Sequence, residues 1–344
     1  MAEAREIARR WKDLIARGID PAIEADRARA AELRKQSDTV LAIAERFIAR
    51  KLKAQRRGFA VERIIRNELL PAWGKRLVAD ITHRDIREVI ERVVDRGVVT
   101  YGHNVFDAVN ALLNFAAAQD AIETNPARLL RRSDILPPKK PRQRVLTDTE
   151  LQALWRASER MGYPYGPMYH LLLLTGCRLD EVAGARWREF GLERKTWTIP
   201  AARFKSDAEH VVSLTDAAMA VLETLPRFER GDHLFSTRFG EQAIGGFSKA
   251  KRRLDALMSE EIELQPFINH DLRRTVRTRL SALKVQDHVA EMVIGHGRKG
   301  IARVYDMHKF DDEKREALTL WAAKLRSIVE PAPANVVQMS TRSA

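Results

Sequence analysis

The run Asn269-His270-Asp271-Leu272-Arg273-Arg274-Thr275 places an imidazole and a guanidinium three positions apart at the start of a stretch that reads as a helix. Residues at that spacing share a helix face, so His270 and Arg273 project together. Such a face suits a phosphate, because guanidinium is planar, permanently charged and bidentate toward oxyanions. Downstream come Ile294-Gly295-His296 and then Tyr305, between a glycine-bounded turn and a last amphipathic stretch. An imidazole, a guanidinium, a second imidazole and a phenol in this order suit phosphodiester chemistry with a tyrosine nucleophile. Tyr101, Tyr163, Tyr165 and Tyr169 all precede Arg273, so Tyr305 alone fits the order.

The elements that must position these groups follow from periodicity and breakers. Ile7, Trp11, Leu14 and Ile15 recur at helical spacing before Gly18, and Asp20-Pro21 opens a second charged helix. Residues 37–133 carry four apolar runs of period 3.6: Val40/Ile43/Ala44/Phe47, Val61/Ile64/Ile65/Leu69, Ile86/Val89/Ile90/Val93 and Val105/Val109/Leu112/Leu113. Breakers at Gly58, Pro71, Gly74, Gly97 and Asn125-Pro126 separate them, which predicts a helical bundle. Residues 134–144 read as a basic, proline-rich linker. Thr147-Asp148-Thr149-Glu150 is a capping box that opens a second domain, 145–329. In it, 196–199 and 211–214 have strand character and are joined by a polar turn carrying Lys205. The expected fold is mainly α and multidomain: a helical bundle, then a mostly helical α/β domain with a small antiparallel sheet. The tail, 330–344, is expected to be disordered.

A chain of 344 residues can hold two domains with real cores, and a formal charge of +13 with a pI near 10 points to a polyanion as partner. The only cysteine, Cys177, excludes an intramolecular disulfide and a cysteine-based zinc cluster. No window approaches the roughly 20 apolar residues of a membrane span, and no export signal is recognisable. The expected location is the cytoplasm, with the nucleoid.

The second domain resembles the catalytic domain of the tyrosine recombinases, the phage integrase family. The matching segments are Thr-Gly-Cys-Arg-Leu-Asp-Glu-Val at 175–182, Lys205, His-Asp-Leu-Arg-Arg-Thr at 270–275, Ile-Gly-His at 294–296 and Tyr305, in family order and spacing. Residues 37–133 are similar to the family's core-binding domain in pattern, and 1–36 resemble the end of an arm-binding domain, which is then truncated here.

The resemblance implies roles. Arg178 and Arg273 fork onto the non-bridging oxygens of a scissile phosphate, replacing metal ions. Tyr305 attacks phosphorus and forms a 3′-phosphotyrosine, which stores the backbone bond without ATP, metal or other cofactor. Its phenol, with an ordinary pKa near 10, needs the activating field of the arginines and His270. Lys205 protonates the departing 5′ oxygen, His270 accepts a proton or donates to the phosphate, and His296 donates to the phosphate. Glu181, one turn after Arg178, reads as a carboxylate that orients an arginine. Arg131, Arg132, Lys139, Lys140, Arg142 and Arg144 are candidates to lie along a DNA backbone.

The implied activity is site-specific integration or excision of a mobile element such as a prophage or genomic island. Its partner is double-stranded attachment-site DNA, with a homotetramer on paired sites, a free monomer, and a DNA-bending factor or excisionase as accessory. The stripe Leu318/Trp321/Leu325/Ile328 either packs on its own domain or, as the resemblance implies, docks on a neighbouring protomer. Two other readings stay open: a non-catalytic DNA-binding relic, and a topoisomerase of the type IB kind.

Overall fold

Four helices begin where a threonine hydroxyl, at Thr39, Thr82, Thr147 or Thr215, accepts from a free amide of the first turn. In the computed structural model, which describes residues 2–18, 20–26, 38–55, 58–139, 142–204, 208–296 and 308–331, the chain divides into two units, Met1–Pro141 and Arg142–Ala344. Their boundary falls within the stretch expected to be a linker. Among the described residues no helix is long and apolar enough to cross a membrane.

In the first unit, Ala2–Ala16 is helical and leaves Trp11 and Ile15 exposed. The four apolar runs of 37–133 become four helical stretches. Thr39 caps Val40–Phe47, accepting from the Ala42 amide at 3.3 Å, and this helix widens into a π turn at Ile48–Leu52. Gly58–Ile64 widens likewise at Ile65–Leu69 before Leu70–Trp73. His83–Asp95 starts at a Thr82/Asp85 capping box, and Val99–Ala117 completes the set. Ile43, Ile65, Leu69, Ile86, Ile90 and Leu112 are essentially inaccessible, each side chain contributing about 1.5–3 kcal/mol by its burial. The Asn125 amide nitrogen donates to Asn110 Oδ1 (2.7 Å) and Asn114 Oδ1 (2.9 Å), which fastens the turn after the last helix onto it.

The second unit opens with the expected capping box: the Glu150 amide donates to Thr147 Oγ1 (3.2 Å) and the Thr147 amide to Glu150 Oε2 (2.9 Å), starting Asp148–Met161. Tyr165–Thr175 is buried on nearly every side. Gly176 ends it at φ 65°, and a β-carbon there would meet Val276 Cγ1 at 3.0 Å, so conformation and packing both favour glycine. The short Leu179–Ala183 helix follows.

Strands β1 (Phe190–Gly191), β2 (Thr196–Ile199) and β3 (His210–Ser213) form an antiparallel sheet in that order, with Ile199 opposite His210. The sequence reading foresaw β2 and placed its partner at 211–214, one residue late. It missed β1, whose two residues are too few to show alternation, although Phe190 stacks on Trp197 at 5.3 Å. Among the described residues the unit also holds the helices Asp216–Glu223, Phe247–Ser259, Asn269–Ala282, Asp287–Val293 and Asp311–Val329.

The last helix corrects an expectation. Leu318, Trp321, Leu325 and Ile328 are buried in the core of their own unit, and Trp321 Nε1 donates to Leu173 O at 2.7 Å. The stripe is already occupied in its own chain, so it does not serve as a docking face for a neighbour. The expected tail beyond residue 331 lies outside the described residues.

Candidate active site

Three segments converge on Arg273. From the second turn of Asn269–Ala282 its Nη1 donates to Gly176 O (3.0 Å), and its Nη2 donates to Ile294 O just after Asp287–Val293. One guanidinium thus joins the turn that leads into Arg178 to the turn that leads into His296. Arg273 is 4% exposed. Burial, and then the Arg178 charge, push its pKa down from 12.5 to about 10. Two of its five N–H groups are used by carbonyls, so others remain for a ligand.

Arg178 precedes Leu179–Ala183 and is held by Glu181. Its Nη1 donates to Glu181 Oε1 (2.7 Å) and its amide to Oε2 (2.8 Å), with Glu181 almost wholly buried. The guanidinium also lies 5.5 Å above the Phe204 ring. Aromatic face and carboxylate together leave the remaining N–H donors of Arg178 few directions in which to point.

His270, on the same helix as Arg273, is exposed. Partial desolvation, and then Arg273 and Arg274, push its pKa below the ordinary histidine value. Asp271 beneath it is fully buried; it caps the Ile268 amide (2.9 Å) and pairs with Arg274. Thr275, the last residue of the motif, accepts the Leu146 amide at 2.9 Å. His296 is exposed, and its Nδ1 lies 2.5 Å from Glu291 Oε2. Gly295 before it has φ 70°, and a β-carbon there would come within 2.5 Å of the Phe204 ring.

The structure therefore brings Arg178, Glu181, His270, Arg273 and His296 onto the mutually packed ends of four segments. Lys205 and Tyr305 lie outside the described residues, as does Lys140. The remaining basic candidates divide. Arg131 and Lys139 are exposed. Arg132 pairs with Asp107 and covers Phe106, and Arg144 is drawn onto Glu150, Val145 O (2.7 Å) and Gln265 O (3.3 Å). Arg142 stands 3.5 Å from Asp271. Arg132 and Arg144 are thus largely committed to partners within their own units.

Sequence reasoning passed over Glu291 and Arg277, and took Arg203, Phe204 and His210 only as the setting of Lys205. Glu291 and Arg277 stand behind His296. Arg203 clasps Glu189 (2.6 and 2.9 Å) and reaches Glu181 O (3.2 Å), which secures the β2–β3 connection beside the Arg178 partner. His210, at the head of β3, stacks on Phe204 at 4.8 Å; among the described residues its buried Nε2 has no hydrogen-bond partner, and burial, then Lys314 and Arg273, push its pKa down to about 3. Phe204, His210, Gly295, His296 and Lys314 line a cavity of about 260 Å³. The available signal was the helical spacing of Arg277 from Arg273 and the five-residue offset of Glu291 from His296.

Residues 144–312 match the model of the phage integrase family, and residues 41–133 match that of the phage integrase central domain. The chain is 25% identical over 337 residues to the prophage integrase IntZ of Escherichia coli K12, covering 96% of this chain and 81% of IntZ. It is 24% identical to the integrase of Enterobacteria phage P4, covering 94% and 76%. Among solved structures, a lambda integrase dimer bound to a COC′ core site superposes with a TM-score of 0.61 at 17% identity, covering 76% of this chain and 99% of that one. The Tn1549 transposon integrase in complex with circular intermediate DNA gives 0.58 at 16% identity, covering 81% and 98%. These structural matches are a likeness of fold.

Proposed function

The chain belongs to the phage integrase family, the site-specific tyrosine recombinases, and on that premise we propose how its own residues carry the reaction. The observation that carries the proposal is the gathering of two guanidiniums, Arg178 and Arg273, with His270 and His296 around one spot where the buried cation of Arg273 is only partly compensated. Such a site gains most from a bound anion, and a phosphodiester supplies two non-bridging oxygens for two guanidiniums.

In this reading double-stranded DNA is the substrate. Arg178 and Arg273 neutralise charge on the scissile phosphate, and His270 and His296 donate to it or exchange protons with it. Tyr305 attacks phosphorus as its phenolic proton passes to His270; the phosphorus–tyrosine bond forms as the bond to the 5′ oxygen breaks, and Lys205 delivers the proton that oxygen takes up. Rejoining reverses these transfers, so integration and excision of a mobile element use one set of groups. Exposed Arg131 and Lys139 serve as backbone contacts.

Assembly is proposed to be multimeric on DNA, with four protomers on paired sites and a monomer when free. A lambda integrase tetramer bound to a Holliday junction, similar in fold to this chain with a TM-score of 0.61, supports that reading. A DNA-bending factor or excisionase would act on this assembly.

The test is incubation with nicked duplexes carrying candidate attachment sites, scored for a protein–DNA adduct that survives denaturant. The wild-type chain is expected to form it in the presence of EDTA. Tyr305→Phe is expected to bind the same duplex within about twofold and form none, and an adduct from that variant overturns the assignment.

A further inference from the structure

The carboxylate behind His296 has two oxygens with two different partners. Glu291 Oε2 faces His296 Nδ1 at 2.5 Å, and Oε1 accepts from Arg277 Nε at 2.6 Å. Arg277 in turn donates to Ser281 Oγ at 2.7 Å and pairs with Asp287. It sits one turn beyond Arg273 on the helix that also bears His270, and Glu291 lies on Asp287–Val293. The backbone closes the same loop, the His296 amide donating to Glu291 O at 2.8 Å. Although its partial burial works in the opposite direction, Arg277 and His296 hold the Glu291 carboxyl below its ordinary pKa, so it is ionised at neutral pH and only accepts hydrogen bonds.

We propose that Glu291, anchored by Arg277, is the positioning residue for His296: it fixes the proton on Nδ1, sets the plane of the ring and leaves Nε2 as the nitrogen presented to the reacting phosphate. The inference rests on the reading of His296 as a phosphate ligand. Its logic is that of a carboxylate behind a working histidine, where the nitrogen away from the chemistry is held so that the other one is presented in a single orientation. Glu291 adds a countercharge for the ring whenever Nε2 is also protonated and donates to the phosphate. Arg277 keeps that carboxylate in register with the helix carrying His270 and Arg273. Both donors to the phosphate are thereby referred to one rigid element.

The experiment uses the full chain. Ring ¹⁵N spectra of the free protein, with the His296 signals assigned from His296→Ala, are expected to show Nδ1 protonated in the wild type and a mixture of tautomers in Glu291→Gln. A wild-type ring protonated on Nε2 alone overturns the proposal. Single-turnover adduct formation on a nicked duplex is expected to slow about 10- to 100-fold in Glu291→Gln, the range for losing the group that orients a working histidine. Duplex binding and melting temperature are expected to stay at wild-type values.

In a His296→Ala background the same Glu291→Gln change is expected to cost nothing, since the carboxylate acts through the ring. An equal loss in both backgrounds shows a merely structural role and overturns the proposal. Wild-type rates in Glu291→Gln beside a slow His296→Ala remove Glu291 alone. Wild-type rates in His296→Ala remove the underlying reading together with it.

Discussion

Among the described residues of 38–139 the buried side chains are hydrocarbon almost throughout, with His103 and Asn125 the polar exceptions, whereas the unit from Arg142 onward also buries Glu150, Glu181, His210, Asp271, Arg273 and Lys314. The contrast shows what each interior is built for. Apolar burial stabilises in proportion to area and asks little of direction. Titratable groups removed from water weaken a fold unless each finds a partner, and they persist where their charge or lone pair is needed. The first interior is a scaffold. The second is a device that a scaffold must support.

The sharpest way to break this contrast is to exchange one group of each kind. Arg273→Met keeps volume and removes a buried cation, so strand cleavage is expected to fall by about 10²- to 10³-fold or more, as when a preorganised charge-stabilising donor is lost. Its thermal stability is expected to change little, because relief of the buried charge offsets the two carbonyls left without a donor. Leu112→Ala in the first unit is expected to do the reverse, costing about 2–5 kcal/mol of stability while folded molecules cleave at the wild-type rate. Calorimetry beside the adduct assay reads both, and an Arg273→Met chain that unfolds before Leu112→Ala would erase the distinction.

A smaller effect should separate the units in acid. The folded-state pKa of His210 is about 3 against an ordinary 6.5, so between those values the unfolded chain takes up a proton that the folded chain refuses. Stability from this group is complete above pH 6.5 and declines as pH falls below it, by about 2–3 kcal/mol over two pH units. In the first unit, Asp85 is held well below the ordinary carboxylate range, chiefly by Arg76 and also by Thr82. A depressed carboxylate keeps its contribution until the pH falls under about 4. Calorimetric scans from pH 7 to 4.5 are therefore expected to lower the transition of the second unit first, and His210→Phe to flatten that slope.

The smallest expected effect is one in which the units behave alike. Thr82→Ala and Thr147→Ala each remove a side chain that serves a helix start, and each is expected to cost about 1 kcal/mol in its own unit. Urea titrations of both variants check this, and a cost several times larger in either would show that the cap bears on more than its helix.

How much of this could be read beforehand differs in the same way. The four helical stretches of 37–133 were legible because apolar spacing and breakers are local signals, and so was the Thr147 box. The π turns at Ile48–Leu52 and Ile65–Leu69 were not, since an extra residue in one turn leaves the amphipathic stripe nearly unchanged. In the second unit the residue types of Arg178, His270, Arg273 and His296 stood out by motif. Their partners are another matter: the pairs Arg203 with Glu189 and Arg277 with Glu291 join residues 14 positions apart, and no local pattern announces them. The stripe around Trp321 showed that it would be buried but not against what, because amphipathicity does not distinguish a chain's own core from a neighbour.

The two carbonyl bonds of Arg273 couple equilibria as well as segments. Gly176 and Ile294 belong to different parts of the unit, and the guanidinium that bridges them is the one on which the proposed anion would lean. Binding free energies in such an arrangement are reciprocal. If an anion at Arg273 strengthens the hold on Ile294 by some factor, then drawing Ile294 away weakens the hold on the anion by the same factor. On the proposed reading, a pull that draws Ile294 from Arg273 is expected to loosen the bound anion, and loss of the anion to loosen that turn.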